Sequence, residues 1–171
     1  MAQSRKEIIS WREVSKLISI LVDQFDTAFD QLIMVSPSGV IPGGMLAAAT
    51  GIEELLVAQI AFPPDPDEDK SKLFSWPTFI HFPEDEILFE KMVLVVNNAW
   101  GSGRTSRAIQ KRVDSAGGIA YNSVLHYNPY RNLLKCEPDF YAAITDAYII
   151  YPWEIDRIGP DRVLLENGGK G

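Results

Sequence analysis

The chain has 171 residues, of which 46% are hydrophobic and 23% charged, a length and composition typical of one globular domain with a full-sized core. Its formal net charge is −7, which argues against general binding of nucleic acid or of an anionic membrane, since both require a basic face. No apolar run approaches the eighteen residues of a membrane span, and the first ten residues lack the apolar core of a signal peptide.

The one cysteine, Cys136, has no second cysteine with which to form an internal disulfide. A reducing compartment is the simplest interpretation, so we expect a cytoplasmic protein. No histidine signature lies near Cys136, and we do not propose it as a nucleophile. We expect one domain over residues 1–158 and a flexible, glycine-ended tail over residues 159–171.

The first half of the chain predicts a helix followed by a βαβ unit. Ser10 and Glu13 form a capping-box pattern, and apolar residues follow it at helical spacing up to Phe25. Residues 32–35 predict a short strand, Pro42 begins a helix that Gly51 ends, and residues 55–62 predict the next strand. Strand, helix and strand in this order indicate a parallel sheet.

The second half continues the alternation. Residues 63–72 are prolines and acids and predict an exposed, mobile loop, whereas residues 73–82 predict an edge strand or hairpin arm. A buried strand over 92–96, a helix over 106–115 and a strand over 119–127 follow, then a loop over 128–138 and a last strand over 147–151. We therefore predict an α/β fold: a doubly wound, mostly parallel sheet with helices on both faces.

A glycine-rich loop joins the central strand to its helix. A helix N-terminus behind such a loop points backbone N–H groups at an anion, and hydroxyl side chains add donors. The loop thus predicts a phosphate-bearing ligand, which an acidic protein can still bind locally. The alternative is that it only caps the helix. Its residues are Gly101, Ser102, Gly103, Arg104, Thr105 and Ser106.

Four segments, in their order along the chain, resemble the type I phosphoribosyltransferases, and among these the xanthine, guanine and hypoxanthine enzymes of purine salvage. They are ISW at residues 9–11, SGVIPGGMLA at 38–47, VLVVNNAWGSGRTSRAI at 93–109 and YPWE at 151–154. The resemblance covers residues 9–157. It implies the family's fold with a small C-terminal hood, a dimer or tetramer, and transfer of phosphoribosyl from 5-phosphoribosyl 1-pyrophosphate to a base nitrogen with Mg²⁺.

The resemblance also implies roles for particular residues. Ser102 to Ser106 would hold the 5′-phosphate, and Ser38 and Gly39 stand in the pyrophosphate loop. Asn128 stands where a lysine usually contacts the purine carbonyl, and Tyr148 or Tyr151 would stack on the base. Ile149 would offer backbone contacts to the base edge.

The chain differs from the family at positions whose side chains take part in the family's reaction. Asn97 and Asn98 replace two adjacent acidic residues, and Gly101 stands where an aspartate assists proton transfer. Asparagine accepts hydrogen bonds but carries no charge, so protein support for Mg²⁺ is weak and no metal ligand is named. Loss of one preorganised electrostatic interaction commonly costs about 10²–10³ in rate. The alternative is that Asn97 and Asn98 merely form a turn.

Three functions remain open. The first is binding of a nucleoside monophosphate or phosphoribosyl ligand with weak or altered transferase activity. The second is a working transferase in which another carboxylate substitutes for the missing pair. The third is a non-catalytic regulatory or dimeric scaffold. The candidate carboxylates are Glu53, Glu54, Asp65 and Glu154, and the candidate interface residues are Trp76, Phe79, Phe82 and Tyr130.

Three further residues have more than one interpretation. Trp100 is expected to anchor a loop or form an interface rather than to stack on a ligand. His81 is expected on a strand, facing solvent or a neighbour. His126 lies near the predicted base site, although a structural role is the expectation for it.

Overall fold

The computed structural model describes residues 5–62 and 77–154. The strands are β1 (Lys6–Ile8), β2 (Gln31–Val35), β3 (Glu54–Ala61), β4 (Thr78–His81), β5 (Met92–Trp100), β6 (Ile119–Tyr127), β7 (Phe140–Ile144) and β8 (Tyr148–Ile150). The helices are α1 (Trp11–Gln24), α2 (Val40–Thr50), α3 (Asp85–Leu88) and α4 (Arg104–Ser115), with a 3-10 turn at Pro129–Arg131. None of the helices in these ranges is long and apolar enough to cross a bilayer.

Six strands form the main sheet in the order β4-β3-β2-β5-β6-β7. Every neighbouring pair is parallel except β3 and β4, which pair antiparallel at one edge. The chain leaves β2 in one direction along the sheet and leaves β5 in the other. The gap between these strands at their carboxyl ends is therefore the topological switch point, where ligands bind in such sheets.

The core lies in two layers because alternate residues of the central strands face opposite sides. In β5, Leu94 and Val96 pack with α1 and α2, whereas Val93 and Val95 pack with α3 and α4. All four side chains are at most 1% exposed. This alternation confirms the predicted α/β sheet with helices on both faces.

The first helix begins as its sequence predicts. Ser10 Oγ accepts a hydrogen bond from the backbone N–H of Glu13 at 3.3 Å, and Glu13 Oε2 accepts one from the Ser10 N–H at 2.7 Å. At the end of α2, Gly51 has φ +76° and forms the expected left-handed cap.

Several boundaries differ from the sequence expectation. β5 runs on to Trp100 because Asn97 pairs with Val124 of β6, so Asn97 and Asn98 are strand residues and not a turn. α4 begins at Arg104 and not at Ser106. The predicted loop over 63–72, Trp76 and the predicted tail over 159–171 lie outside the described residues.

The last strand does not join the main sheet. β8 pairs in parallel with β1, with Lys6 opposite Tyr148, and the two form a separate small sheet. Neither β1 nor β7 follows from the sequence pattern. This pairing holds Tyr148 and Ile149 beside the carboxyl end of β6, where the predicted base site lies.

Candidate functional site

Two loops meet at the switch point between β2 and β5. Ser38 Oγ, in the loop after β2, donates a hydrogen bond to Asn97 Oδ1 of β5 at 2.6 Å. A Cβ at Gly39 would lie 2.1 Å from the carbonyl oxygen of Val96, so only glycine permits this approach of the backbones. The predicted pyrophosphate loop is therefore held against the residues that replace the acidic pair.

Asn97 has little capacity left to bind a ligand through its oxygen. Oδ1 accepts the Ser38 hydroxyl and also the backbone N–H of Asn98, at 2.8 Å. The side chain is buried, and an amide oxygen has two lone pairs. Two donors from the protein already occupy the atom that would accept a ribose hydroxyl or a metal-bound water.

The glycine-rich loop ends at the N-terminus of α4. Gly103 is the N-cap, with φ +79°, and as a glycine it supplies no side-chain cap. Ser102 Oγ accepts only a long bond, 3.4 Å, from the N–H of Arg104. The backbone N–H groups of this turn are thus directed out of the helix end, the arrangement that binds phosphate.

Trp100 lies beneath this loop. It is 2% exposed, and a Cβ at Gly103 would lie 2.5 Å from its Nε1. Within the described residues Nε1 has no hydrogen-bond partner. Trp100 therefore packs under the glycine-rich loop and is too buried to form a docking surface or a stacking platform.

A pocket of about 270 Å³ adjoins the loop. Gly101 and Asn98 line one side of it, and the predicted base-binding residues Asn128, Tyr148 and Ile149 line the other. Gly101 directly precedes Ser102, so the pocket adjoins the start of the glycine-rich loop. The structure thus brings together residues that the sequence assigned separately to a base and to a phosphate.

The base-binding candidates differ in what they can offer. Tyr148 is 47% exposed, so its ring is available to a ligand. Tyr151 is 1% exposed and stacks on Trp153 with ring centroids 4.6 Å apart, which removes it as a stacking surface. Asn128 Oδ1 accepts the N–H of Tyr130, which leaves one lone pair of this oxygen for a ligand.

Gly101 leaves open space in the pocket wall. A Cβ built there has no heavy atom within 4 Å, and its backbone does not have a positive φ. The structure could therefore accommodate the aspartate that the resemblance implies at this position. Its absence removes a proton acceptor without any steric requirement for glycine.

A buried hydrogen-bonded chain crosses the pocket wall, and sequence reasoning missed it. His126 Nδ1 lies 2.9 Å from Tyr151 Oη, and that hydroxyl donates to the backbone oxygen of Asn98 at 2.8 Å. Burial lowers the pKa of His126 to about 4. Burial, and secondarily the nearby Glu154 and Tyr148, raises the pKa of Tyr151 well above its ordinary value.

The carboxylates considered as substitutes are not equivalent in position. Glu154 lines the pocket, although its Oε2 accepts the backbone N–H of Tyr151 at 2.9 Å. Glu54 pairs with Gln31 at the amino ends of the strands, the opposite edge of the sheet, and Glu53 precedes it. Neither Glu53 nor Glu54 reaches the site, and Asp65 is outside the described ranges.

These donors fit a protein-bound Mg²⁺ poorly. Residues 5–62 and 77–154 contain no group of three or more histidine, cysteine, aspartate or glutamate side chains that could hold a metal ion. Asn97 and Asn98 are neutral, and the oxygen of Asn97 is already engaged. Any Mg²⁺ at this site would depend on oxygens of the ligand itself.

The aromatic residues considered as an interface mostly face inward. Phe79 and Phe82 pack against each other, with ring centroids 5.2 Å apart, and against the core below α4. Tyr130 is 80% exposed. His81 is exposed on β4, as expected. Trp76 is not among the described residues.

No family model matches the sequence, and no curated protein matches it. Solved structures do match. Purine phosphoribosyltransferase from Pyrococcus horikoshii superposes with a TM-score of 0.72 at 23% identity, covering 87% of this chain and 93% of that one. A hypothetical protein from Neisseria gonorrhoeae with bound ppGpp gives 0.76 at 19%, covering 99% and 100%. The xanthine-guanine-hypoxanthine enzyme of Helicobacter pylori gives 0.68 at 16%, covering 91% and 96%.

Superpositions of this quality at such low sequence identity establish the fold. They do not establish the activity of this chain, which has to be argued from the residues of the site. The match to the Neisseria gonorrhoeae protein spans nearly the whole chain and so includes the six-stranded sheet, the glycine-rich loop after β5 and the small sheet of β1 and β8. The chain therefore has the fold of the type I phosphoribosyltransferases, and the solved structures that it resembles include the purine enzymes of that fold.

Proposed function

We propose that this protein binds a purine nucleoside monophosphate or phosphoribosyl ligand, with weak or altered transferase activity. The phosphate would lie on the residues from Ser102 to Ser106, and the base would lie in the adjoining pocket against Tyr148. The observation that carries the proposal is that Gly101, the first residue of the glycine-rich loop, lines this pocket.

The first turn of α4, which begins after a glycine N-cap, supports the phosphate half of the proposal. Its N–H groups and the helix dipole favour an anion, and Ser102, Thr105 and Ser106 add hydroxyl donors. Arg131 lines the pocket and contributes positive charge on an otherwise acidic chain. A phosphate monoester therefore has matched partners at one end of the cavity.

The weakness of catalysis follows from what the pocket lacks. Transfer of phosphoribosyl develops positive charge on the ribose and removes a proton from the base. Asn97 and Asn98 supply no negative charge, and Gly101 supplies no proton acceptor. Loss of a positioned acid or base typically costs about 10²–10⁴ in rate, so turnover by the usual route would be slow.

Isothermal titration tests the proposal directly. Guanosine, xanthosine and inosine monophosphates and 5-phosphoribosyl 1-pyrophosphate would be titrated with and without Mg²⁺. We expect micromolar binding of at least one of them, weakened in Ser102→Ala and in Thr105→Ala. Ser115→Ala is the matched control, since Ser115 Oγ only bonds within the far end of the same helix. Absence of binding by every one of these ligands would overturn the proposal.

A coupled assay with purine and pyrimidine bases, in Mg²⁺ and in Mn²⁺, separates binding from catalysis. Product formation would favour the working transferase, with Glu154 as the carboxylate nearest the pocket. Ligand binding without product formation would favour a protein that binds the nucleotide but does not transfer phosphoribosyl.

The alternative is a non-catalytic regulatory or scaffold protein on the same fold. The Neisseria gonorrhoeae neighbour, which matches 99% of this chain, holds ppGpp, so a guanine nucleotide with additional phosphates belongs in the same titration. A homodimer or tetramer in the cytoplasm is part of the proposal under either function. Sedimentation with and without nucleotide would measure that state. Binding of ppGpp but of no monophosphate would favour regulation.

A further inference from the structure

His126 is a buried titratable side chain to which the proposed phosphate contacts assign no role. It lies on β6 opposite Ala99 of β5, and its ring lines the pocket that contains Tyr148 and Ile149. The side chain is only 6% exposed. What this ring can offer a ligand depends on which of its two nitrogens carries the hydrogen.

The hydrogen bonds decide which nitrogen carries the proton. The backbone oxygen of Asn98 can only accept, so the single proton of the Tyr151 hydroxyl is directed to it at 2.8 Å. Tyr151 Oη can then only accept from His126 Nδ1, 2.9 Å away. Nδ1 therefore carries the hydrogen, and in a neutral ring Nε2 presents a lone pair.

Both groups keep these states at neutral pH. Burial lowers the pKa of His126 to about 4, so its ring is uncharged. Burial raises the pKa of Tyr151 well above its usual range, so its hydroxyl stays protonated. Within the described residues Nε2 has no hydrogen-bond partner. The pocket wall thus contains a fixed acceptor without a donor.

We infer that His126 Nε2 accepts a hydrogen bond from the N1–H group of a 6-oxopurine bound in this pocket, and that this contact selects oxopurine over aminopurine nucleotides. The inference rests on the proposed function, whose candidate monophosphates are all 6-oxopurines, and it assigns the side chain that distinguishes this class of base. In a 6-oxopurine nucleotide N1 carries a hydrogen, whereas in adenine N1 is itself an acceptor and would face a second lone pair. Tyr151 is the positioning residue, since it holds the ring in the required tautomer.

The test compares inosine monophosphate with its N1-methyl derivative and with adenosine monophosphate by isothermal titration. A buried acceptor that loses its donor typically costs about 1–3 kcal/mol, which corresponds to about 5- to 150-fold in affinity. We expect a preference of that size for inosine monophosphate over both other ligands. A wild-type protein that binds all three equally would overturn the inference while leaving the proposed function intact.

The variants isolate Nε2 from the rest of the ring. His126→Asn keeps a short polar group facing Tyr151 but removes Nε2, and we expect the preference to collapse. His126→Gln places an amide near the position of Nε2, and we expect partial rescue. His81→Asn is the matched control because His81 is the other histidine of the chain and is exposed on β4. A preference that survives in His126→Asn would contradict the inference.

Tyr151→Phe tests the positioning role. It removes the hydroxyl that fixes the tautomer, so the preference should fall while the affinity for the N1-methyl derivative stays unchanged. Equal losses for both ligands would indicate a structural effect and would overturn the role of Tyr151.

Nitrogen-15 NMR provides a readout that needs no turnover and no substitution at His126. With two histidines in the chain, the wild-type spectrum is simple, and His81→Asn assigns it. We expect the tautomer of His126 with a protonated Nδ1 and a bare Nε2, and a shift of the Nε2 resonance on addition of inosine monophosphate. A protonated Nε2 would overturn the inference. Failure of every nucleotide to bind would instead overturn the proposed function, and the inference with it.

Discussion

The hydroxyl of Ser38 donates to the side-chain oxygen of Asn97 at 2.6 Å, across 59 positions of sequence. The bond joins the loop after β2 to the end of β5 at the switch point of the sheet. It also explains why asparagine fits at residue 97, because its amide oxygen accepts the hydrogen bond that holds the two loops together. The same oxygen accepts the N–H of Asn98 and so stabilises the strand end.

Ser38→Ala should lower the free energy of unfolding by about 1 kcal/mol, the typical contribution of one such hydrogen bond. The loss should be no larger, because Asn97 Oδ1 keeps its bond from the Asn98 N–H and no buried acceptor is left without a donor. Urea unfolding measures the change. Ser15→Ala, which removes an exposed bond within α1, is the control and should be near neutral. A neutral Ser38→Ala would show that the two loops do not depend on this bond.

Asn97→Asp combined with Asn98→Asp should raise transferase activity in Mg²⁺ by about 10²–10³, the usual contribution of a preorganised electrostatic interaction. A carboxylate at residue 97 can keep the Ser38 bond through one oxygen and offer the other to the ligand. We also expect lower stability, since residue 97 is 8% exposed and burial disfavours a charge. The coupled assay checks the gain, which should vanish when EDTA removes the metal. An unchanged rate would place the limitation elsewhere, for instance at Gly101.

The architecture was predictable because it rests on short-range patterns. Apolar runs and turn residues locate the central strands, and residues 119–127 of the predicted strand coincide with β6. Parallel strands place their carboxyl ends at one edge, so the loops at Ser38 and Asn97 could be expected to meet there. The solved structures then match the predicted fold along most of the chain.

What sequence reasoning missed depends on contacts between distant residues. β1 is three residues long, too short to show a period, and although the strand over 147–151 was predicted, its pairing with β1, with Lys6 opposite Tyr148, was not. The state of His126 is set by a tyrosine 25 positions away and by a backbone oxygen, neither of which a motif records. Asn97 looked like a turn residue because its local preference is for turns, but pairing with β6 outweighs that preference.

The two glycines of the loop after β5 should respond differently to substitution by alanine. Gly101→Ala should change stability by less than about 0.5 kcal/mol, because a Cβ there meets nothing within 4 Å. Gly103→Ala should cost about 2 kcal/mol or more, because residue 103 has φ +79° and a Cβ would lie 2.5 Å from Trp100 Nε1. Thermal unfolding compares them, and titration should show weaker phosphate binding in Gly103→Ala alone. Equal effects would contradict the packing of Trp100 beneath the loop.

The free energy of unfolding should depend on pH through the protonation of His126. Its pKa is about 4 in the folded protein and about 6.5 when unfolded, so the unfolded chain binds more protons between these values. The stability from keeping this ring neutral is therefore present above pH 6.5 and is lost as the pH falls toward 4. Between pH 7 and pH 5 the loss amounts to about 2 kcal/mol.

Comparison with His126→Asn isolates that contribution, because the variant has no ionisable group at this position. Urea unfolding at pH 7 and pH 5 should show a smaller pH-dependent loss in the variant than in the wild type. His81→Asn should follow the wild type. Charged groups from the neighbouring elements remain in all three proteins and cancel in the difference; those lining the two pockets around the ring are Arg5, Glu7, Arg131, Asp146 and Glu154. Parallel pH profiles would mean that His126 is solvated enough to take up a proton in the folded state, and a ring that ionises so readily could not serve as a fixed neutral acceptor.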